Sequence, residues 1–160
     1  MVRENNTWYM FFEVMNRRTH HADIGLATSE DGFHWAYQQI VLDEPFHLSY
    51  PYVFKWNGEY YMIPETRRAG SIRLYKATNF PTEWSFIDTL VDGEYCDFSI
   101  FCYDGKWWMT TVTTNGILLL FYADNLLGPW REHAKSPVVN GNSNCARTWR
   151  QGFSVKRSHY

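Results

Sequence analysis

Three segments of this chain repeat one pattern at a spacing near 50 residues, and a chain built that way folds as an array of like units. The segments are Asn5-Asn6-Thr7-Trp8-Tyr9-Met10-Phe11-Phe12-Glu13, Asn57-Gly58-Glu59-Tyr60-Tyr61-Met62-Ile63-Pro64-Glu65 and Asp104-Gly105-Lys106-Trp107-Trp108-Met109-Thr110-Thr111-Val112. Their first residues stand 52 and 47 positions apart. Each is followed by a second apolar run, Ile24–Thr28, Ile72–Ala77 and Leu118–Ala123, and then by a turn that reaches Trp35, Trp84 or Trp130. Three landmarks therefore recur in one order.

Turn chemistry decides what the units are. Asn57-Gly58 and Asp104-Gly105 favour two-residue type I′ hairpins, where both central residues take positive φ. Their flanks are aromatic and β-branched, as strands are, and helix signals are scarce. The second repeat predicts strands at 52–56, 59–63, 71–77 and 84–90, and the third at 98–103, 106–112, 117–123 and 130–133. Four-stranded repeats of 40–50 residues are propeller blades. The expected fold class is all-β, a partial β-propeller of about three four-stranded antiparallel blades. Blades are expected over 1–143, with an incomplete first blade at 1–44, a second at 45–93 and a third at 94–143. Residues 144–160 are expected to be a tail or the stub of a fourth blade.

Composition narrows the function classes. The 160 residues carry 15 Lys+Arg against 17 Asp+Glu, a net charge of −2, so there is no basic field for nucleic acid. No run approaches the roughly 20 apolar residues of a membrane helix, and the N-terminus lacks the apolar core of a secretory signal. Cys96, Cys102 and Cys145 make an odd count without metal-type spacing, which points to reduced thiols and a cytoplasmic setting. Two adjacent histidines, His20 and His21, lack a third ligand in sequence, so neither a metal nor a cofactor is expected. Most of the 30 aromatic residues recur on blade strands and in the turn before each fourth strand.

The run His47-Leu48-Ser49-Tyr50-Pro51-Tyr52-Val53-Phe54, with Asn57–Thr66, Ser71–Tyr75 and Phe80-Pro81-Thr82-Glu83-Trp84, resembles the N-terminal domain of glucosamine inositolphosphorylceramide transferases. The resemblance covers about residues 5–140. That domain is similar to the five-bladed propellers of glycoside hydrolase families 43, 32 and 68, an analogy at fold level. It implies a carbohydrate-active propeller, glycoside hydrolase-like, that acts on or binds a glycosidic or sugar-phosphate substrate. The alternatives are a non-catalytic carbohydrate-binding or assembly module, or a truncated propeller fragment without activity. The implied partners are a carbohydrate ligand and either a second copy or another chain that completes the ring.

Strand parity places the starts of inner strands, the ends of second strands and the loops between second and third strands on one face. The candidate acids there are Asp97, Glu65 and Glu13. His47, Tyr50, Arg73 and His21 are expected to hold the sugar. The hydrolase pattern that the resemblance implies is kept only in part. Its first acid would precede Met1, its second aligns with Tyr50, and its third aligns with Cys96, one residue before Asp97. Glycoside cleavage needs two carboxylates ~5–9.5 Å apart, and Asp97 with Glu65 or Glu13 is the expected pair.

Overall fold

The computed structural model describes residues 1–141. Twelve strands form three four-stranded antiparallel sheets. The first comprises β1 (Val2–Glu4), β2 (Thr7–Asn16), β3 (His21–Ser29) and β4 (Ala36–Leu42). The second comprises β5 (Ser49–Trp56), β6 (Glu59–Glu65), β7 (Ser71–Asn79) and β8 (Glu83–Asp92). The third comprises β9 (Tyr95–Tyr103), β10 (Lys106–Thr113), β11 (Leu118–Ala123) and β12 (Arg131–Glu132). Within each sheet every strand pairs with its sequence neighbour, the meander expected of a blade. The expected fold class therefore holds. The chain divides into two compact units, Met1–Glu94 with two sheets and a second unit that opens at Tyr95. The tail expected at 144–160 lies outside the described residues.

The first turn of each sheet is set by residues that tolerate positive φ. Asn57 and Gly58 have φ of 50° and 85°, and Asp104 and Gly105 have 50° and 70°. Asn5 and Asn6, at 47° and 66°, make the same turn without a glycine. The tryptophan landmark also has a physical cause. Each indole N–H donates back into the turn it closes: Trp35 to Gly32 O at 3.2 Å, Trp84 to Pro81 O at 2.9 Å and Trp130 to Leu126 O at 3.0 Å. That satisfies the polar end of a large apolar side chain while its rings pack.

In the first unit, the core lies between the two sheets. Phe11, Leu26, Leu48, Met62 and Tyr75 are buried there, with Tyr9, Phe80 and Trp84 packed against them. Tyr60 stacks on Phe80 at 3.8 Å between centroids, and Phe11 meets Trp84 edge-on at 5.5 Å. Polar ties close the same seam. Tyr60 donates its hydroxyl to Glu4 Oε2 at 2.6 Å, Lys55 Nζ donates to Glu4 Oε1 at 2.9 Å, and Tyr75 donates to Glu44 Oε1 at 2.9 Å. In the second unit Phe98, Ile100, Trp107, Met109 and Phe121 are buried.

The Glu4 tie predicts an acid response. The Tyr60 hydroxyl, then the Lys55 ammonium, hold the Glu4 carboxyl below its ordinary value of 4.5. A depressed folded-state value contributes stability above the unfolded value, and the contribution is lost as pH falls through the folded one. Glu4→Gln is therefore expected to flatten the fall in urea midpoint between pH 5 and pH 3, as denaturation at four pH values would show. An unchanged acid limb in that variant would refute the tie.

Candidate functional site

A cleft of about 580 Å³ opens in the first unit, lined by His20, His21, Pro45, Phe46, His47, Glu65, Arg67 and Arg68. Its walls come from three chain segments. The turn between β2 and β3 supplies His20, held at φ 59°, and β3 begins with His21. The connection from β4 to β5 supplies Pro45, Phe46 and His47. The end of β6 supplies Glu65, and the one-turn 3-10 helix Arg67–Ala69 supplies the two arginines.

The connection is stitched to the first sheet. Leu48 N–H donates to Ala22 O at 2.8 Å, and Ala22 N–H donates to His47 Nδ1 at 3.1 Å. Because Nδ1 accepts a backbone proton, the imidazole of neutral His47 carries its own proton on Nε2. That nitrogen faces Glu13 Oε1 at 3.5 Å. The arginine turn is held by Thr66, which is buried. Its hydroxyl donates to Ser71 O at 2.5 Å and accepts from Arg73 N–H at 3.3 Å. β6 and β7 pair in register only at Tyr61↔Lys76 and Met62↔Tyr75. Further along, the Thr66 side chain stands in for the ladder.

Three of the expected site residues, His21, His47 and Glu65, line this one cleft. Glu13 reaches it through His47 but does not end its strand as expected, since β2 runs three residues further to Asn16. Arg73 is not among the lining residues. Its guanidinium lies over the rings of Phe46 at 4.9 Å and Phe86 at 5.2 Å, so it backs the cleft wall. Tyr50 is the second residue of β5, and Asp97 stands in β9 of the second unit.

Tyr50 and Asp97 share a backbone feature. Both are non-glycine residues at positive φ, 51° and 43°. Ser49↔Glu65 and Tyr52↔Ile63 leave Tyr50 and Pro51 opposite Pro64 alone. Cys96↔Val112 and Ser99↔Thr110 leave Asp97 and Phe98 opposite Thr111 alone. Each is a β-bulge whose first residue is left-handed, a place glycine usually takes. The two stand 47 residues apart, the spacing of the repeat. Such strain costs about 1–3 kcal/mol each and clusters at functional sites.

Sequence reasoning weighed His20 only as half of an adjacent histidine pair and assigned no role to Arg67, Arg68, Pro45, Phe46 or Asp43. No period marks the connection from β4 to β5, so the one signal there was its Pro beside an aromatic. Asp43 sits just past β4, where Ile24↔Leu42 pairing brings it opposite Asp23. His21 Nε2 lies 3.5 Å from Asp23 Oδ1 and 4.0 Å from Asp43 Oδ1. Burial, opposed by the Asn16 hydrogen bond, holds the Asp23 carboxyl above its ordinary range, with Asp43 adding to the rise.

Comparisons with known proteins agree with this architecture. The chain is 41% identical over 147 residues to glucosamine inositolphosphorylceramide transferase 1 of Oryza sativa subsp. japonica, covering 87% of this chain and 20% of that protein. It is 36% identical over 166 residues to the protein of that name in Arabidopsis thaliana, covering 98% and 22%. The chain thus spans about a fifth of the length of these relatives. Among solved structures, a thermostable family-43 glycoside hydrolase matches with a TM-score of 0.71 at 15% identity, covering 88% of this chain and 54% of that one. A family-43 protein from Bacillus licheniformis matches at 0.62 and 15%, covering 86% and 29%. These likenesses establish the fold alone. No helix among the described residues is long and apolar enough to cross a membrane. The family model described as glucosamine inositolphosphorylceramide transferase 1, N-terminal, matches residues 1–160, and the chain belongs to that family.

Proposed function

We propose that this chain is a carbohydrate-binding propeller domain whose cleft takes an anionic, phosphate-bearing sugar or polyol. One observation carries the reading: two arginines and three histidines converge with a single carboxylate on one cleft. A guanidinium donates in a planar fork that fits a phosphate. Phe46 offers a flat apolar face to sugar C–H groups, and Glu65 accepts from hydroxyls. The relatives are named for glucosamine and inositolphosphorylceramide, a phosphate-bearing polyol, which suits this chemistry. The second partner, a second copy or another chain that completes the ring, belongs to the same proposal.

The test is calorimetric titration with inositol 1-phosphate and with free inositol. The phosphorylated ligand is expected to bind more tightly. Removing a charge-assisted contact costs about 1.5–3 kcal/mol, so Arg67→Ala or Arg68→Ala alone is expected to weaken it roughly 10- to 150-fold and the double variant by more than about 100-fold. Equal affinity for both ligands, or an unchanged double variant, would refute the reading. A catalytic reading is favoured by Glu65 on the cleft wall and Glu13 beside His47. Hydrolysis of aryl glycosides that is lost in Glu65→Gln would decide for it.

A further inference from the structure

We infer that His21, Asp23 and Asp43 form a binding site for a first-row divalent ion, with Zn²⁺ held more tightly than Mn²⁺, at the margin of the cleft. The inference stands apart from the sugar reading, since it needs only these three side chains. It also departs from the sequence expectation of no metal, which lacked a third ligand beside His20-His21.

The fold assembles the ligands. His21 and Asp23 are two residues apart on β3, so their side chains leave the same face of the sheet. Antiparallel pairing of β3 with β4 carries Asp43 beside Asp23. One donor atom from each of the three lies within 4.8 Å of the others. A tetrahedral ion with bonds of about 2.0–2.2 Å separates its ligand atoms by roughly 3.3–3.6 Å. The 3.5 Å between His21 and Asp23 fits as it stands. The 4.0 Å to Asp43 closes with a small rotation of an exposed side chain.

Asp23 supplies the independent sign that something is wanted there. Its side chain is 5% exposed. Its Oδ2 accepts from Asn16 Nδ2 at 3.3 Å, but its Oδ1 is buried and accepts no hydrogen bond. A buried oxygen of that kind is costly to leave unmatched, more so when charged. The unmatched atom points at His21 Nε2, where a cation would sit between them.

The donor set selects the ion. One imidazole nitrogen with two carboxylate oxygens suits Zn²⁺ and Mn²⁺, whereas Ca²⁺ wants six to eight oxygens and Mg²⁺ retains its waters. The Irving–Williams order ranks Zn²⁺ above Mn²⁺. Three protein ligands leave a fourth position open, and His21 also lines the cleft.

The experiment is thermal denaturation and calorimetry of the full chain, stripped with EDTA and then titrated with ZnCl₂, MnCl₂ or CaCl₂. At about 100 times its Kd, Zn²⁺ is expected to raise Tm by roughly 5–10 °C, with Mn²⁺ weaker and Ca²⁺ without effect. Asp43→Asn, at an exposed position, and His21→Gln, which keeps a polar side chain of similar reach, are expected to keep most of the metal-free Tm and lose the shift. Asp23→Asn is expected to keep the Asn16 contact and lose it too. No calorimetric binding to the wild type, a shift that survives Asp43→Asn and His21→Gln, or a response to Ca²⁺ alone would each overturn the site. So would a shift abolished by His34→Ala, since that places the ion at the exposed Asp31–His34 pair.

Discussion

Phe11→Ala is expected to cost the first unit about 3–5 kcal/mol, the range for deleting a buried phenylalanine. Phe11 is 8% exposed and lies where the first two sheets meet. Its ring meets Trp84 at 5.5 Å and Phe80 at 6.3 Å, and Phe80 in turn stacks on Tyr60 and meets Tyr9 at 5.0 Å. Removing the ring opens a cavity bounded by flat rings that cannot collapse into it. Domain stabilities run about 5–15 kcal/mol, so the loss is a large share of the total. Denaturation followed by tryptophan fluorescence reads it directly, because Trp84 borders the cavity. Phe33→Ala is the control. Phe33 is 85% exposed and its loss is expected to stay within about 0.5 kcal/mol. A Phe11→Ala cost below 1 kcal/mol would mean that the two sheets are not held together by this aromatic cluster.

Thr66→Val is the second large effect, because it changes shape little and chemistry completely. The valine keeps the volume but removes a hydroxyl that serves two backbone groups. The carbonyl of Ser71 loses its donor and the amide of Arg73 loses its acceptor. Leaving buried polar groups unmatched costs about 1–3 kcal/mol. The same change loosens the turn that carries Arg67 and Arg68 into the cleft, so a phosphate-bearing ligand is expected to bind more weakly in step. Thr66→Ser retains the hydroxyl and is expected to restore most of both losses. A valine variant as stable as the wild type, with unchanged affinity, would show that the β6–β7 ladder closes without the side chain.

How far the sequence foretold all this depends on the range over which each signal acts. Asn57-Gly58 and Asp104-Gly105 encode their turns within two residues, and the strands flanking them follow from alternation. The repeated tryptophans were legible for a similarly local reason, as each indole bonds a carbonyl three or four residues away. Glu13 was placed at a strand end because its repeat partner Glu65 stands at one. The hairpin of β2 and β3 simply continues three residues further, to Asn16↔His21. The cleft was half legible. Parity put His21, His47 and Glu65 on one face, but nothing periodic describes the connection that contributes Pro45 and Phe46. Asp43 was invisible as a ligand for a different reason. It is 22 residues from His21, and only the β3–β4 register brings the two together.

The bulges at Tyr50 and Asp97 have one more consequence, which concerns how the inner strands are read. On a regular strand, side chains two apart share a face. Glu65 and Ile63 do, and their partners are Ser49 and Tyr52, which are three apart. Thr110 and Val112 impose the same on Ser99 and Cys96. The extra residue therefore resets the phase of the strand, much as a single inserted letter shifts a reading frame. Ser49, which precedes the reset, takes its facing from that one residue. A deletion at position 50 or 51 would leave the composition of the strand almost untouched and turn its leading end over.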